Sequence, residues 1–233
     1  METFFVEGSI IAEYFYIGLA LLVLASLVAG YIDAVAGGAG LILIPAFLMV
    51  GLPPQVALAQ EKLVSTIGTI AAIKNFMKSS SIVWKIIPIG IASAILGAFI
   101  GAKVILMLPT HVINYIILAF LPIGLLATLF KGKLMSGNNQ AGEIKKSAVA
   151  VFFTCLVVGF YDGFFGPGAG SSLVFLFIRI FHFDFMRATA CAKLVNMSTN
   201  LGALAYFIPA GLVQFSLALP MTVAMIAGSY AGS

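Results

Sequence analysis

The sequence predicts an all-α, polytopic membrane protein that contains two internal repeats. Hydrophobic residues make up 62% of the 233-residue chain and charged residues 9%, whereas charged residues make up about a quarter of a soluble domain. Apolar runs of membrane-spanning or near-spanning length recur along the chain, and several features of the first half return about 130 residues later. A chain of this composition lacks the polar surface that a water-soluble protein needs.

Nine apolar runs are candidates for helices in the bilayer. Backbone N–H and C=O groups in lipid must be satisfied within a helix or a closed barrel, and these runs lack the strict alternation of barrel strands. The runs lie at about residues 12–32, 34–51, 55–73, 86–108, 112–130, 147–161, 168–181, 188–208 and 212–232. We therefore expect helices, with short or broken ones after the glycine-rich turns.

One hydrophilic stretch, KGKLMSGNNQAGEIKK at residues 131–146, divides the chain. Its four lysines and its Gly/Asn-rich middle are typical of a loop. We expect a first repeat half at residues 1–130, a cytoplasmic loop at 131–146 and a second repeat half at 147–233. The second half has no counterpart of the run at 112–130, so we expect it to be incomplete at its C-terminus.

The two halves can be oriented in the membrane in two ways. If residues 34–51 and 168–181 both cross the membrane completely, the repeats are inverted. If both are re-entrant, each half has four spans and the repeats are parallel. Only the inverted scheme places Arg179 and Arg187 on the cytoplasmic side with the two lysine-rich loops, and cytoplasmic loops carry an excess of Lys and Arg. The sequence therefore favours inversion.

Each half contains an aspartate followed by a glycine-rich turn. GYIDAVAGGAG at residues 30–40 returns as GFYDGFFGPGAG at 159–170. A helix that begins after such a turn directs unpaired N–H groups and its positive dipole end at its surroundings, and duplicated segments of this kind indicate a transporter's binding site. Alternatively, the aspartates cap the next helix and the glycines serve only helix packing. The candidate binding residues are Asp33, Gly37, Gly38, Gly40, Asp162, Gly166, Gly168 and Gly170.

A lysine follows each turn at a matching distance. ALAQEKLVS at residues 57–65 aligns with ATACAKLVN at 188–196, so that Lys62 corresponds to Lys193. On helices, these lysines begin polar stripes that add Ser65, Asn196 and Asn200 to the candidate binding residues. A lysine in hydrocarbon is costly and therefore a functional candidate, although it can also snorkel to an interface or pair with one of the aspartates.

Glu61 is the candidate for coupling transport to an ion. It adjoins Lys62 but projects about 100° away from it on a helix, and its counterpart in the second half is Ala192. Its carboxyl could relay protons or simply reach the membrane interface. The spacing of the sequence leaves both readings open.

Other chemistries find no support in the sequence. Cys155 and Cys191 lie in apolar runs, and His111 and His182 lack partners at metal-ligand spacing, so we predict neither a metal site nor a cofactor. The basic residues lie mostly in short loops, which argues against nucleic-acid binding. A phosphate-binding GxxxxGK[ST] loop is absent from the 233 residues, which argues against an ATP-driven pump in this chain.

The chain resembles the sulfite exporter TauE/SafE family, also called the toluene-sulfonate uptake permease family, over residues 15–233. The matching motifs are GYIDAVAGGAGLILIPAFLMVGLPPQVAL, AQEKL, GFYDGFFGPGAG, RATACAKLVN and TNLGAL. The resemblance implies a multi-pass protein of the bacterial cytoplasmic membrane that transports small anions such as sulfite, sulfonates or carboxylates. Relatives often have TNKL at the first lysine, so Gln60 and Glu61 replace a neutral dipeptide here. They often have His where this chain has Cys191.

The leading hypothesis is therefore a secondary transporter and not an enzyme, with a small anionic substrate and the lipid bilayer as partners. A homo-oligomer is compatible with it. One alternative is an intramembrane enzyme that uses Asp33 and Asp162 as a dyad, which would need the two carboxyls about 3 Å apart. The other is a membrane assembly factor that transports nothing.

Overall fold

The computed structural model describes residues 5–6, 8–36, 38–78, 82–135 and 147–232. These residues form ten α-helices and no β-strand, as the apolar runs predict. The helices are α1 (Ile10–Glu13), α2 (Phe15–Ala36), α3 (Gly40–Val50), α4 (Pro54–Lys78), α5 (Ile87–Leu106), α6 (Thr110–Met135), α7 (Ala148–Phe164), α8 (Ala169–Phe181), α9 (Phe185–Phe207) and α10 (Phe215–Gly232). Segments of α2, α5 and α10 are long and apolar enough to cross a membrane. Since α6 continues to Met135, it includes the first five residues of the expected loop.

Two short helices follow the glycine-rich turns, as expected. Gly38 (φ 132°), Gly166 (φ 103°) and Gly168 (φ 85°) adopt left-handed conformations that favour glycine. The next helices, α3 and α8, have 11 and 13 residues, which makes them about 17 and 20 Å long. A hydrocarbon core is about 30 Å thick. Neither helix is therefore long enough to span this thickness on its own.

Four helix ends meet in an apolar cluster that we call the Leu52 end. Its buried side chains come from the first half of α2, the end of α3 and the starts of α4 and α10: Leu22, Phe47, Val50, Leu52, Val56, Leu217 and Met221. The backbone N–H of Val6, shortly before α2, donates to the carbonyl oxygen of Gly51, directly after α3 (3.1 Å). Hence α2 and α3 form a hairpin whose outer ends lie together.

A second cluster, which we call the Ile86 end, has the equivalent composition. Its buried side chains come from the starts of α5, α7 and α9 and from the end of α8: Ile86, Ile87, Val151, Cys155, Phe181, Phe183 and Ala188. Hence α7 and α8 form a second hairpin. The two ends are opposite because α4 contributes Val56 to the Leu52 end and Ile73 to the Ile86 end.

Corresponding helices of the two halves run in opposite directions. While α4 leads from the Leu52 end to the Ile86 end, α9 starts with Ala188 at the Ile86 end and leads to Leu212, which packs against the Leu52 end. The pairs α2 and α7, and α5 and α10, also start at opposite ends. The inverted scheme requires this geometry, although the second helix of each hairpin is shorter than the hydrocarbon core is thick. That the halves are repeats of one another stays a prediction.

The helices pack as two bundles, and each bundle contains one helix that comes from the other half of the sequence. Helix α5 packs against α7 and α9, whereas α10 packs against α2 and α4. Backbones approach closely there, because a methyl group on Gly97 would overlap the carbonyl oxygen of Leu156, and one on Gly228 would overlap that of Leu27. We call α2, α3, α4 and α10 the first bundle, and α5, α7, α8 and α9 the second bundle.

A cysteine in place of Arg187 tests the orientation of the bundles. Arg187 is exposed on the first turn of α9, at the Ile86 end, which Lys85 also adjoins, so this end is expected to face the cytoplasm. In a background without Cys155 and Cys191, R187C should react with an impermeant maleimide only when the cytoplasmic face is accessible. A cysteine at Met107, exposed just after α5, should show the opposite pattern. Labelling of R187C in intact cells would contradict the orientation.

Candidate functional site

Asp33 lies three residues before the end of α2 and closes the first glycine-rich turn. Its Oδ1 accepts hydrogen bonds from the backbone N–H groups of Gly38 (3.0 Å) and Ala39 (3.4 Å), directly before α3. Lys193 on α9 donates to Oδ2 (2.8 Å) and to the carbonyl oxygen of Asp33 (2.5 Å). The carboxylate therefore caps the start of α3 and binds an ammonium group at the same time.

Asp162 occupies the corresponding place near the end of α7. Lys62 on α4 lies 2.7 Å from its Oδ1. Its Oδ2 accepts hydrogen bonds from Nδ2 of Asn196 (3.0 Å) and from the hydroxyl of Thr199, both on α9. Both oxygens of this buried carboxylate therefore have donors.

Each lysine–aspartate pair joins one bundle to the other. Lys62 of the first bundle binds Asp162 of the second, and Lys193 of the second bundle binds Asp33 of the first. The four side chains are between 2% and 8% exposed. Both lysines therefore form an ion pair with an aspartate. The sequence had left this possibility open beside a direct role in substrate binding. Loss of one partner from a buried pair leaves an uncompensated charge, so the pairs hold the bundles together.

A small polar cavity of about 20 Å³ lies between the two bundles. It is lined by both glycine-rich turns and by the polar faces of α4 and α9: Asp33, Gly38, Ala39, Gly40, Glu61, Ser65, Asp162, Gly166, Gly168, Gly170, Asn196 and Asn200. A cavity of this size has room for about one water molecule. It must widen before a ligand of several heavy atoms can bind.

The structure brings nearly all of the predicted site residues to this cavity. Gly37 lies outside the described residues, and Lys62 and Lys193 do not line the cavity wall. Lys62 is nevertheless close to it, because a methyl group on Gly166 would lie only 2.6 Å from its Nζ atom. Glycine at this position thus lets the ammonium group approach the cavity. That these residues bind a substrate stays a prediction.

Glu61 adds a third carboxylate to the cavity. Its Oε1 accepts a hydrogen bond from the hydroxyl of Ser65 (2.8 Å) and faces Gly40 at the start of α3. Its Oε2 lies 3.3 Å from Nζ of Lys62 but has no hydrogen-bond partner among the described residues. The side chain is only 6% exposed, so this oxygen is a buried acceptor without a donor.

Asn200 also directs an unsatisfied group at the cavity. The residue is 2% exposed, and its Oδ1 has no hydrogen-bond partner within the described part of the chain. The oxygen and nitrogen of an amide exchange places when the group flips. Asn200 can therefore present either an acceptor or two N–H donors to a ligand.

Supporting residues that the sequence analysis missed hold the site in place. Besides Thr199, they include Tyr161, whose hydroxyl donates to the carbonyl oxygen of Pro167 within the second turn (2.7 Å). The side chain of Gln60 exchanges two hydrogen bonds with the backbone of Gln214 (2.9 and 3.2 Å) and ties α4 to the start of α10. The polar stripe of α9 could have identified Thr199, whereas no local signal places Gln60 beside Gln214.

The geometry does not favour a catalytic dyad. Each aspartate has a lysine of the other bundle as its partner, and not the second aspartate. In the described ranges, no group of three His, Cys, Asp or Glu side chains is placed to hold a metal ion.

Comparison with known proteins identifies the family. The profile of the family described as sulfite exporter TauE/SafE matches residues 22–233. A probable membrane transporter protein, ORF9 of Sinorhizobium sp, is 34% identical over 218 residues, which cover 92% of this chain and 82% of ORF9.

Two further relatives agree. The probable membrane transporter protein YfcA of Escherichia coli K12 is 34% identical over 216 residues (92% and 79% of the two chains), and a probable membrane transporter protein of Haemophilus influenzae is 33% identical over 223 residues (92% and 84%). No solved structure matches. The family resemblance of the motifs is thus confirmed, and the chain belongs to the sulfite exporter TauE/SafE family of membrane transporters.

Proposed function

We propose that this protein is a secondary transporter of the bacterial cell membrane that carries a small anion, such as sulfite, a sulfonate or a short carboxylate. The observation that carries the proposal is the polar cavity between the bundles, where two helix starts converge with an amide oxygen that has no hydrogen-bond partner among the described residues. Membership of a membrane transporter family supports it.

The second glycine-rich turn is the better place for the anion's oxygen atoms. At the first turn, Asp33 already accepts two of the N–H groups before α3, and Glu61 faces Gly40. The start of α8 instead faces the side-chain oxygen of Asn196, 3.4 Å from where a methyl group on Gly170 would lie. A neutral amide competes less with an anion for a helix N-terminus than a carboxylate does.

Transport requires the cavity to open to each side of the membrane in turn. Within each bundle, helices touch backbone to backbone at glycines such as Gly97 and Gly228. Between the bundles, α4 meets α9, and the two lysine–aspartate pairs bridge the interface. We therefore assign the rocking motion to the two bundles, each of which combines helices of both sequence halves.

Anion flux into proteoliposomes tests the proposal. Sulfite, sulfoacetate, methanesulfonate and acetate are offered separately, and the wild-type protein is expected to accelerate the entry of at least one of them. Replacing Asn200 with alanine should weaken that anion's apparent affinity by roughly 10- to 100-fold, because a hydrogen bond to a charged ligand contributes about 1.5–3 kcal/mol. Asn114→Ala, at an exposed position of α6, is the matched control and should behave as wild type.

Two outcomes would count against the proposal. If no anion enters faster than in protein-free vesicles, the assembly-factor alternative gains ground. If Asn200→Ala matches Asn114→Ala, the cavity is not where the anion binds.

A further inference from the structure

We infer that Glu61 carries a proton together with the anion, so that the site moves one proton with each monovalent anion. The inference rests on the proposed function and names its coupling ion. The counterpart of Glu61 in the second half is Ala192. The two sides of the cavity therefore have different roles, since only one of them carries the proton.

The charges around the cavity do not balance when every group is ionised. The pairs of Asp33 with Lys193 and of Asp162 with Lys62 are each neutral. Glu61 then leaves the buried site with one net negative charge. A monovalent anion would raise that charge to two, and charges repel strongly where water is excluded. A proton on Glu61 removes this obstacle.

One oxygen of Glu61 is free to take the proton. Oε1 is engaged by the hydroxyl of Ser65 (2.8 Å), whereas Oε2 has no hydrogen-bond partner among the described residues. Lys62 lies 3.3 Å from Oε2 but binds Asp162 at the shorter distance of 2.7 Å. Protonation converts Oε2 from an acceptor without a donor into an O–H donor on the cavity wall. This donor can bind an oxygen atom of the anion.

The surroundings of Glu61 offer no other charge that could balance it. The charged groups that face it or share the cavity region are Lys62 on α4, Asp33 on α2, Asp162 on α7 and Lys193 on α9. From α3 it meets the backbone at Gly40. Helix α10 contains no Asp, Glu, Lys, Arg or His, and α6 contains none between His111 and Lys131. A proton bound to Glu61 balances the charge without any further ligand.

Proton and anion transport are coupled because the ionised carboxylate of Glu61 and the bound anion exclude each other. With Glu61 ionised, the anion is repelled; with Glu61 protonated, the anion is accepted and receives a hydrogen bond. The proton binds to the carboxylate on one side of the membrane and leaves it on the other, and the anion enters and leaves with it. For a monovalent anion, the complete cycle moves no net charge.

The experiment measures methanesulfonate uptake into proteoliposomes under imposed gradients, with ethanesulfonate as a larger monovalent second probe. Methanesulfonate stays ionised at neutral pH, so any proton that moves with it is carried by the protein. For the wild type, an inward gradient of one pH unit should drive up to about tenfold accumulation, and a potassium diffusion potential set with valinomycin should have no effect. For Glu61→Gln, uptake should no longer respond to the pH gradient and should respond to the potential instead.

Two control variants accompany the test. Glu61→Asp keeps a carboxyl group and should retain the response to the pH gradient. Glu13→Gln removes an exposed carboxylate on α1 and should behave as wild type. Flux that ignores the pH gradient in the wild type, that follows a sodium gradient, or that keeps its pH response in Glu61→Gln would overturn the inference while leaving anion transport intact. An absence of flux for both probes and for every anion of the first flux assay would overturn the proposed function as well.

Discussion

Replacing Lys62 with alanine is expected to lower the free energy of unfolding by about 3–5 kcal/mol, because the substitution leaves a buried carboxylate without its cation. Asp162 is only 1% exposed and would keep only the neutral donors Asn196 and Thr199. The measurement is thermal or denaturant unfolding of the purified protein in detergent.

The double variant Lys62→Ala/Asp162→Ala separates the buried charge from the lost contact. Removal of both partners should cost clearly less than the sum of the two single substitutions, because Asp162 no longer leaves an unpaired charge. Lys103→Ala, at an exposed position near the end of α5, is the control and should change stability by less than about 0.5 kcal/mol. If Lys62→Ala were as harmless as Lys103→Ala, the ion pair would not hold the bundles together.

The helices and the members of the cavity could be predicted because both depend on local patterns. An apolar run long enough for the bilayer must form a helix, and the nine runs correspond to α2 through α10. The two glycine-rich turns carry the same order of residues, so their joint presence at one cavity could be expected from the duplication. The sequence also marked Glu61 as unusual through its contrast with Ala192.

The depth of the short helices could not be read from the length of the apolar runs. Residues 34–51 are apolar enough for a crossing, yet α2 continues to Ala36 and α3 starts only at Gly40. Hydropathy measures how apolar a segment is and does not reveal where its backbone turns. The glycines marked a turn, but the hairpin is defined by tertiary contacts such as that between Val6 and Gly51.

The partners of the two lysines also depend on tertiary structure. Asp33 is nearer to Lys62 in sequence, but Lys62 binds Asp162, 100 positions away, and Lys193 binds Asp33, 160 positions away. Such an exchange follows from the packing of α4 in the first bundle against α9 in the second. The duplicated motif gives no information about which half supplies each partner.

Transport through this protein requires the cavity between the bundles to open to the two sides of the membrane in turn. A cysteine at Ala39 reports on this directly, because Ala39 lines the cavity and differs from cysteine by a single sulfur atom. Ala29, fully buried within the first bundle on α2, provides the matched position that should remain unreactive. Both variants lack Cys155 and Cys191.

The measurement is the reaction of each variant with an impermeant methanethiosulfonate reagent, applied to right-side-out and to inside-out membrane vesicles. Ala39→Cys should be modified from both sides, and its modification should stop anion flux, whereas Ala29→Cys should be modified from neither side. Modification of Ala39→Cys from one side only, or from neither side, would contradict alternating access through this cavity.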